Sequence, residues 1–149
     1  MRRIVMSLII LIGIMASCCA QTVSQKIKND FRELFTGICK DMNQQTPIQV
    51  DGNTTLLFMS FINWQLTYHY KLNCYYTDFS EYERKNILRA IKDNGIKGWR
   101  REIQTWDKSY TYSQYVNFLR RLGLKICYDY IDANNMPFGK TTITCQELQ

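Results

Sequence analysis

The sequence predicts an α+β domain: a four-stranded antiparallel sheet, made of two hairpins, packed against an N-terminal helix and two or three central helices. Three observations lead there. Residues 21–45 carry apolar side chains at helical intervals. Residues 54–73 and 124–145 read as two strand pairs, rich in β-branched and aromatic residues. Between the pairs, residues 80–123 carry helix caps and helical apolar spacing. Helices grouped between strand pairs in this way point to one sheet with helices packed on it.

The first twenty residues stand apart. Arg2 and Arg3 precede an apolar run from Ile4 to Met15, and small residues lead to Ala20. This is the layout of an export signal. The run is shorter than the roughly 20 apolar residues that span a bilayer. Residues 1–20 are therefore read as the signal and 21–149 as one domain. Two readings of the signal's end stay open. Cleavage after Ala20 leaves Gln21 as the new N-terminus. Alternatively, Met15-Ala16-Ser17-Cys18 resembles a lipobox, which makes Cys18 and Cys19 lipidation candidates and supplies a lipid anchor.

In the N-terminal helix, Val23, Ile27, Phe31, Leu34, Phe35, Ile38 and Met42 form one stripe, and Cys39 extends the Ile27-Phe31-Phe35 row. Thr46-Pro47 ends it, because proline disfavours helix at the preceding residue. Asp51-Gly52-Asn53 is a turn. Thr54 to Ile62 is a strand too apolar to alternate cleanly, and Asn63 marks a tight connection. The next strand alternates well: Leu66, Tyr68, Tyr70 and Leu72 against Gln65, Thr67, His69 and Lys71. Ser80 with Glu83 is a capping box. The spacing predicts that its helix stops at Asn94-Gly95, and Trp99–Trp106 supplies a further short helical stretch. Ser113 is expected to cap the next helix, which Gly123 ends. In the last hairpin, Leu124, Ile126, Tyr128 and Tyr130 share a face, opposite Lys125, Cys127 and Asp129. Asp132–Pro137 turns the chain into Gly139–Cys145.

The composition is that of a globular protein, 46% hydrophobic and 21% charged. The formal net charge of +6 falls to +4 once Arg2 and Arg3 are removed. The basic residues are scattered and sit near acids, as in Glu81-Tyr-Glu-Arg-Lys85, so no nucleic-acid stripe is present. The one compact basic cluster is Lys97-Gly-Trp-Arg-Arg101.

In an exported chain, Cys39, Cys74, Cys127 and Cys145 are first read as a disulfide framework. Core packing is expected to set Ile143 opposite a tyrosine of the preceding strand. That register places Cys145 and Cys127 on opposite faces and disfavours a bridge between them. Cys145 is then expected to pair with Cys39 or Cys74, a link worth roughly 2–5 kcal/mol. No catalytic residues are recognised. His69 is the only histidine, and strand parity turns it away from Cys74. No metal signature, phosphate loop or nucleophile elbow occurs, and no cofactor is expected. The expected binding surface consists of aromatic and basic residues in loops and helix starts: Tyr75, Tyr76, Trp99, Arg100, Arg101, Tyr110 and Tyr112. Tyrosine offers large contact area with little loss of entropy.

One resemblance follows from Thr46-Pro-Ile-Gln-Val-Asp51, Leu66-Thr-Tyr-His-Tyr70, Leu122-Gly-Leu-Lys-Ile126, Tyr128-Asp-Tyr130 and Thr144-Cys145. Over residues 25–147 the chain resembles small exported bacterial proteins similar to the quorum-sensing-regulated virulence-factor family. The resemblance implies a signal peptide, an α+β fold and no catalytic residues. It also implies that the terminal cysteine pairs with a cysteine in the helical region. Cys145 matches the former, and no cysteine between Glu81 and Gly123 matches the latter. The expected function is that of an exported, periplasmic or secreted, non-enzymatic protein that binds a protein or a cell-envelope component. The alternative is a secreted or periplasmic inhibitor or immunity-type protein, and an enzyme using Cys74 or His69 ranks third.

Overall fold

A computed structural model describes residues 23–149. The expected export signal and the lipidation candidates Cys18 and Cys19 lie outside the described residues. Helix α1 (Gln25–Asn43) opens with Ser24 as N-cap, whose Oγ accepts from the Ile27 amide at 3.3 Å. It buries Phe31, Phe35 and Cys39, the row its spacing predicts. Then come β1 (Ile48–Asp51), β2 (Thr54–Ile62) and β3 (Gln65–Leu72). A single-turn 3₁₀ helix (Tyr76–Asp78) leads to α2 (Glu81–Thr105) and α3 (Tyr112–Leu122). Strands β4 (Lys125–Ile131) and β5 (Pro137–Thr144) finish the chain. Among the described residues no helix is long and apolar enough to cross a membrane.

The sheet has five strands in the order β1-β2-β3-β4-β5, not four. The extra strand, β1, pairs with the start of β2 across the Asp51-Gly52-Asn53 turn, where the Asp51 carboxylate accepts from the Asn53 amide. The sheet is also mixed. β3 and β4 run parallel, and every other neighbouring pair is antiparallel. The reason is the connection. Parallel neighbours need a long crossover, and α2 with α3 provides one.

Local chemistry explains the other differences. A bulge between Leu56 and Phe58 resets the parity of β2, so both Leu56 and Met59 face the core. Asn63 and Trp64 both have positive φ, 50° and 60°, and form the two-residue hairpin turn into β3. Helix α2 keeps its Ser80–Glu83 capping box but does not stop at Gly95. A Cβ there would stand 2.8 Å from Ile143 Cδ1 and 2.9 Å from Tyr128 Cε2. The glycine permits close approach of helix to sheet rather than an end. Helix α3 is capped by Thr111, not Ser113, in a reciprocal box with Gln114. Gly123, with φ 74°, is the left-handed cap the sequence indicates.

Both long helices cover the same face of the sheet. α1 lies over β2, and α2 lies over β5. Phe35 meets Phe61 at 5.2 Å and Trp99 at 6.4 Å between ring centres. At its C-terminal end α1 is tied to β2 by one side chain. The Asn43 amide donates to the Met59 carbonyl at 2.8 Å and accepts from the Met59 amide at 2.7 Å. This satisfies a stretch of β2 beyond the reach of the short β1. The core runs through Leu66, Ile126, Ile143, Leu119 and Leu148, each at most 1% exposed.

The β4–β5 register pairs Ile126 with Ile143, where a tyrosine is expected, but the parity is as predicted. Cys145 and Cys127 face opposite sides. Among the described residues Cys39, Cys74, Cys127 and Cys145 are unpaired, and no disulfide joins them in this structure. Their places explain it. Cys74 follows the end of β3, and Cys145 follows the end of β5, which runs the other way. The two are about a strand's length apart, roughly 20 Å. Cys39 lies under α1 on the β2 side, and Cys127 is buried on the opposite face of the sheet, between Thr67 and Thr142.

Candidate functional site

The two long helices stand over β2 and β5, and β3 and β4 lie between those strands. The parallel register sets Tyr68 beside Tyr128 and Tyr70 beside Tyr130. The four rings form a stacked ladder, with Tyr68–Tyr128 at 5.3 Å and Tyr70–Tyr130 at 5.0 Å between ring centres and their planes nearly parallel. Tyr68, Tyr70 and Tyr128 are half-buried, because they floor a groove that the helices do not close.

The groove has two hollows of about 360 Å³ each, which meet at Trp106. The inner one has the tyrosine floor, Ile38 of α1 on one wall, and Gly98, Trp99 and Glu102 of α2 on the other. The outer one lies between Ile27, Asp30, Phe31 and Leu34 of α1 and the α2–α3 loop. Ile27, Phe31, Leu34 and Ile38 follow each other at three- and four-residue steps, so one side of α1 serves both hollows. From Ile27 to Ile38 that side is about 16 Å long. Trp106 packs on Phe31 and Tyr115, at 5.9 and 5.1 Å. Asp107 fixes the loop behind it, accepting from the Ser109 amide at 2.7 Å and the Tyr115 hydroxyl at 3.0 Å. These bonds, that of Ser109 first, hold the Asp107 carboxyl below its ordinary pKa.

Burial sets the chemistry of the floor. It pushes the Tyr70 phenol up to about 12, and those of Tyr68, Tyr128 and Tyr130 upward as well. The floor is therefore neutral at physiological pH, offering ring surface and phenol hydroxyls but no nucleophile. The charges along the groove are acidic: Asp30, Glu102 and Asp107. Asp30 is bridged to Lys26 at 3.2 Å, on the exposed side of α1. Among the described residues no group of three or more His, Cys, Asp or Glu side chains is placed to hold a metal ion.

The residues expected to form one binding surface are not brought together. Tyr75 and Tyr76 are exposed beyond the end of β3, where the Arg84 guanidinium lies 3.7 Å over the Tyr76 ring. Trp99 is buried, and its side chain reaches the groove wall. Arg100 is turned to the end of the chain, donating to the carbonyls of Glu147 at 3.0 Å and Gln149 at 2.7 Å. Arg101 is exposed next to it. Tyr112 donates to the Leu148 carbonyl, while Tyr110 stacks edge-on against Tyr115 and Phe118 and lines the outer hollow. Of the expected set, Trp99 and Tyr110 therefore line the groove. Ile38, Tyr68, Tyr70, Trp106 and Tyr128 are the lining residues that sequence reasoning assigned elsewhere. One signal pointed to them: three inward-facing strand positions hold tyrosine, whose hydroxyl needs water or a partner, where aliphatic residues would fill a closed core.

His69 is on the uncovered face, beside Ser60 and Asp129. Cys74, from which strand parity is expected to turn it away, sits past the strand end, where burial and then Asp78 and Asp132 push its thiol pKa up.

No family model matches the chain, and no curated sequence matches it. Two solved structures share its fold. One is a Vibrio vulnificus pilotin of the type 2 secretion system, 10% identical, with a TM-score of 0.56 over 85% of this chain and 98% of that one. The other is a Pseudomonas aeruginosa protein described as secreted, 13% identical, with a TM-score of 0.50 over 86% of this chain and all of that one. At these identities the likeness establishes the α+β fold and leaves function to the site.

Proposed function

We propose that the protein is an exported bacterial accessory protein that holds a segment of an envelope protein in the groove between α1 and α2. The observation that carries this is the groove itself. It is an apolar channel with a floor of neutral tyrosines and acids along its length, on a chain whose formal net charge is positive. Such a channel suits a peptide segment with apolar side chains to bury and Lys or Arg to meet Asp30, Glu102 and Asp107. The phenols stay protonated and no nucleophile lines the channel, so the groove's role is binding. The export signal and the fold shared with a secretion-system pilotin and a protein described as secreted support an envelope location. The lipobox reading adds an anchor at Cys18 or Cys19. The resemblance to the quorum-sensing-regulated virulence-factor family supports the same class of exported protein.

The test is a photo-crosslinking amino acid placed at Leu34, on the groove wall, in cells producing the protein. The expected result is one discrete protein adduct, lost when Gly98→Phe fills the inner hollow and weakened by Glu102→Lys. A Cβ at Gly98 meets nothing within 4 Å, so the blocking variant leaves the core alone. An adduct pattern at Leu34 that matches the same probe at Tyr82, remote from the groove and 75% exposed, sinks the proposal.

A further inference from the structure

The helix-free face of the sheet carries Ser60, His69 and Asp129 in a row across β2, β3 and β4. Ser60 Oγ lies 3.2 Å from His69 Nε2. His69 Nδ1 lies 3.5 Å from the Asp129 carboxylate. Phe58 stacks on the imidazole at 4.1 Å between ring centres and fixes its plane. We infer that Ser60, His69 and Asp129 form a nucleophilic triad on the open face, at a cleft that accepts small esters.

The roles follow from the two nitrogens. Asp129 faces Nδ1 and favours the tautomer that carries its proton there. Nε2 is then free to accept from the Ser60 hydroxyl, the arrangement a general base requires. Burial holds the His69 pKa below its ordinary value. Asp129 opposes that shift, and Lys140, directly across from Asp129 on β5, adds to it. The imidazole is therefore neutral near pH 7 and able to take a proton. The cleft has a volume of about 520 Å³. Asn63, Gln65, Lys125 and Lys140 line it as well. The Gln65 amide donates to Thr67 Oγ1 at 3.1 Å, so the Asn63 amide and the two ammonium groups are the donors left for an acyl oxygen.

In the first step Ser60 Oγ bonds to the acyl carbon while its proton passes to Nε2. The ester C–O bond then breaks, and the alcohol leaves with that proton. Water repeats the sequence on the acyl-serine, its proton passing through Nε2 back to Ser60. The sum is ester plus water giving acid plus alcohol.

The test uses the purified exported protein with a fluorophosphonate reagent and with p-nitrophenyl acetate. The expected result is one covalent label, mapped by mass spectrometry to the peptide containing Ser60. His69→Ala should abolish the label, and Asp129→Asn should slow it. Ester hydrolysis should fall about 100-fold in Ser60→Ala, the scale of general-base catalysis. It should also fall as pH drops through the His69 pKa. Near-ultraviolet circular dichroism checks that each variant is folded. Hydrolysis equal in the wild type and Ser60→Ala, with Ser60 unlabelled, overturns the inference and leaves the row as a polar surface feature.

Discussion

Two glycines on α2, one turn apart, should respond to alanine in opposite directions. Gly95 faces the sheet. A Cβ there would meet Ile143 Cδ1 at 2.8 Å, Tyr128 Cε2 at 2.9 Å and the Tyr128 hydroxyl at 3.0 Å. Ile143 is fully buried, and Tyr128 belongs to the ladder, so neither gives way freely. Gly98 faces the groove, where a Cβ would meet nothing within 4 Å. Both substitutions gain the same intrinsic term, roughly 0.5–1 kcal/mol for replacing glycine within a helix. Gly95→Ala adds an overpacking cost of about 1–3 kcal/mol. Gly98→Ala should therefore stabilise by roughly 0.5–1 kcal/mol. Gly95→Ala should be neutral to destabilising by about 2 kcal/mol. The propensity term cancels in the difference between the two, which isolates the helix–sheet contact. Equilibrium unfolding in urea measures it, at an unchanged m-value. Equal stabilisation by both variants would refute the close approach of α2 to β4 and β5, and with it the wall of the groove.

Two further outcomes concern pH. Asp132 accepts from the amides of Tyr76 at 3.0 Å and of Asn134 and Met136 at 2.8 Å, and these bonds, that to Tyr76 first, hold its pKa below the ordinary value. Its folded pKa is depressed, so its contribution is complete above the unfolded value near 3.9 and is lost as pH falls through the folded one. Asp132→Asn should lower stability at pH 7 and flatten the acid limb of a stability–pH profile; an unchanged limb would remove Asp132 as a cause. At the alkaline end, the ladder phenols are raised by burial, Tyr70 to about 12. Their stabilisation is present below about pH 10 and drains away as pH rises through the folded values. Ultraviolet titration should show the ladder phenols ionising only well above pH 10, with unfolding. Ionisation of every tyrosine in one step near pH 10 would mean the ladder is not buried.

The sequence by itself determined the elements whose signals are local. Ser80 with Glu83 and Gly123 bound α2 and the end of α3 through backbone bonds made within a turn. The α1 stripe and the β3 and β4 alternations are fixed by period, and they place Phe35, Leu66 and Ile126 in the core as expected. What fails is also physical. Gly95 carries the same local mark as a helix end, but its meaning depends on Ile143, nearly fifty positions away, and only packing reveals it. The direction of β4 beside β3 rests on where a two-helix crossover returns the chain, which no local pattern encodes. The short β1 exists because β2 offers it an edge. The tertiary structure likewise decided the sites. The groove needs α1 to stand on β2 and α2 on β5, so that Tyr68, Tyr70 and Tyr128 are left between them. Ser60, His69 and Asp129 come from three strands, and only the parallel pairing of β3 with β4 brings the carboxylate beside the imidazole.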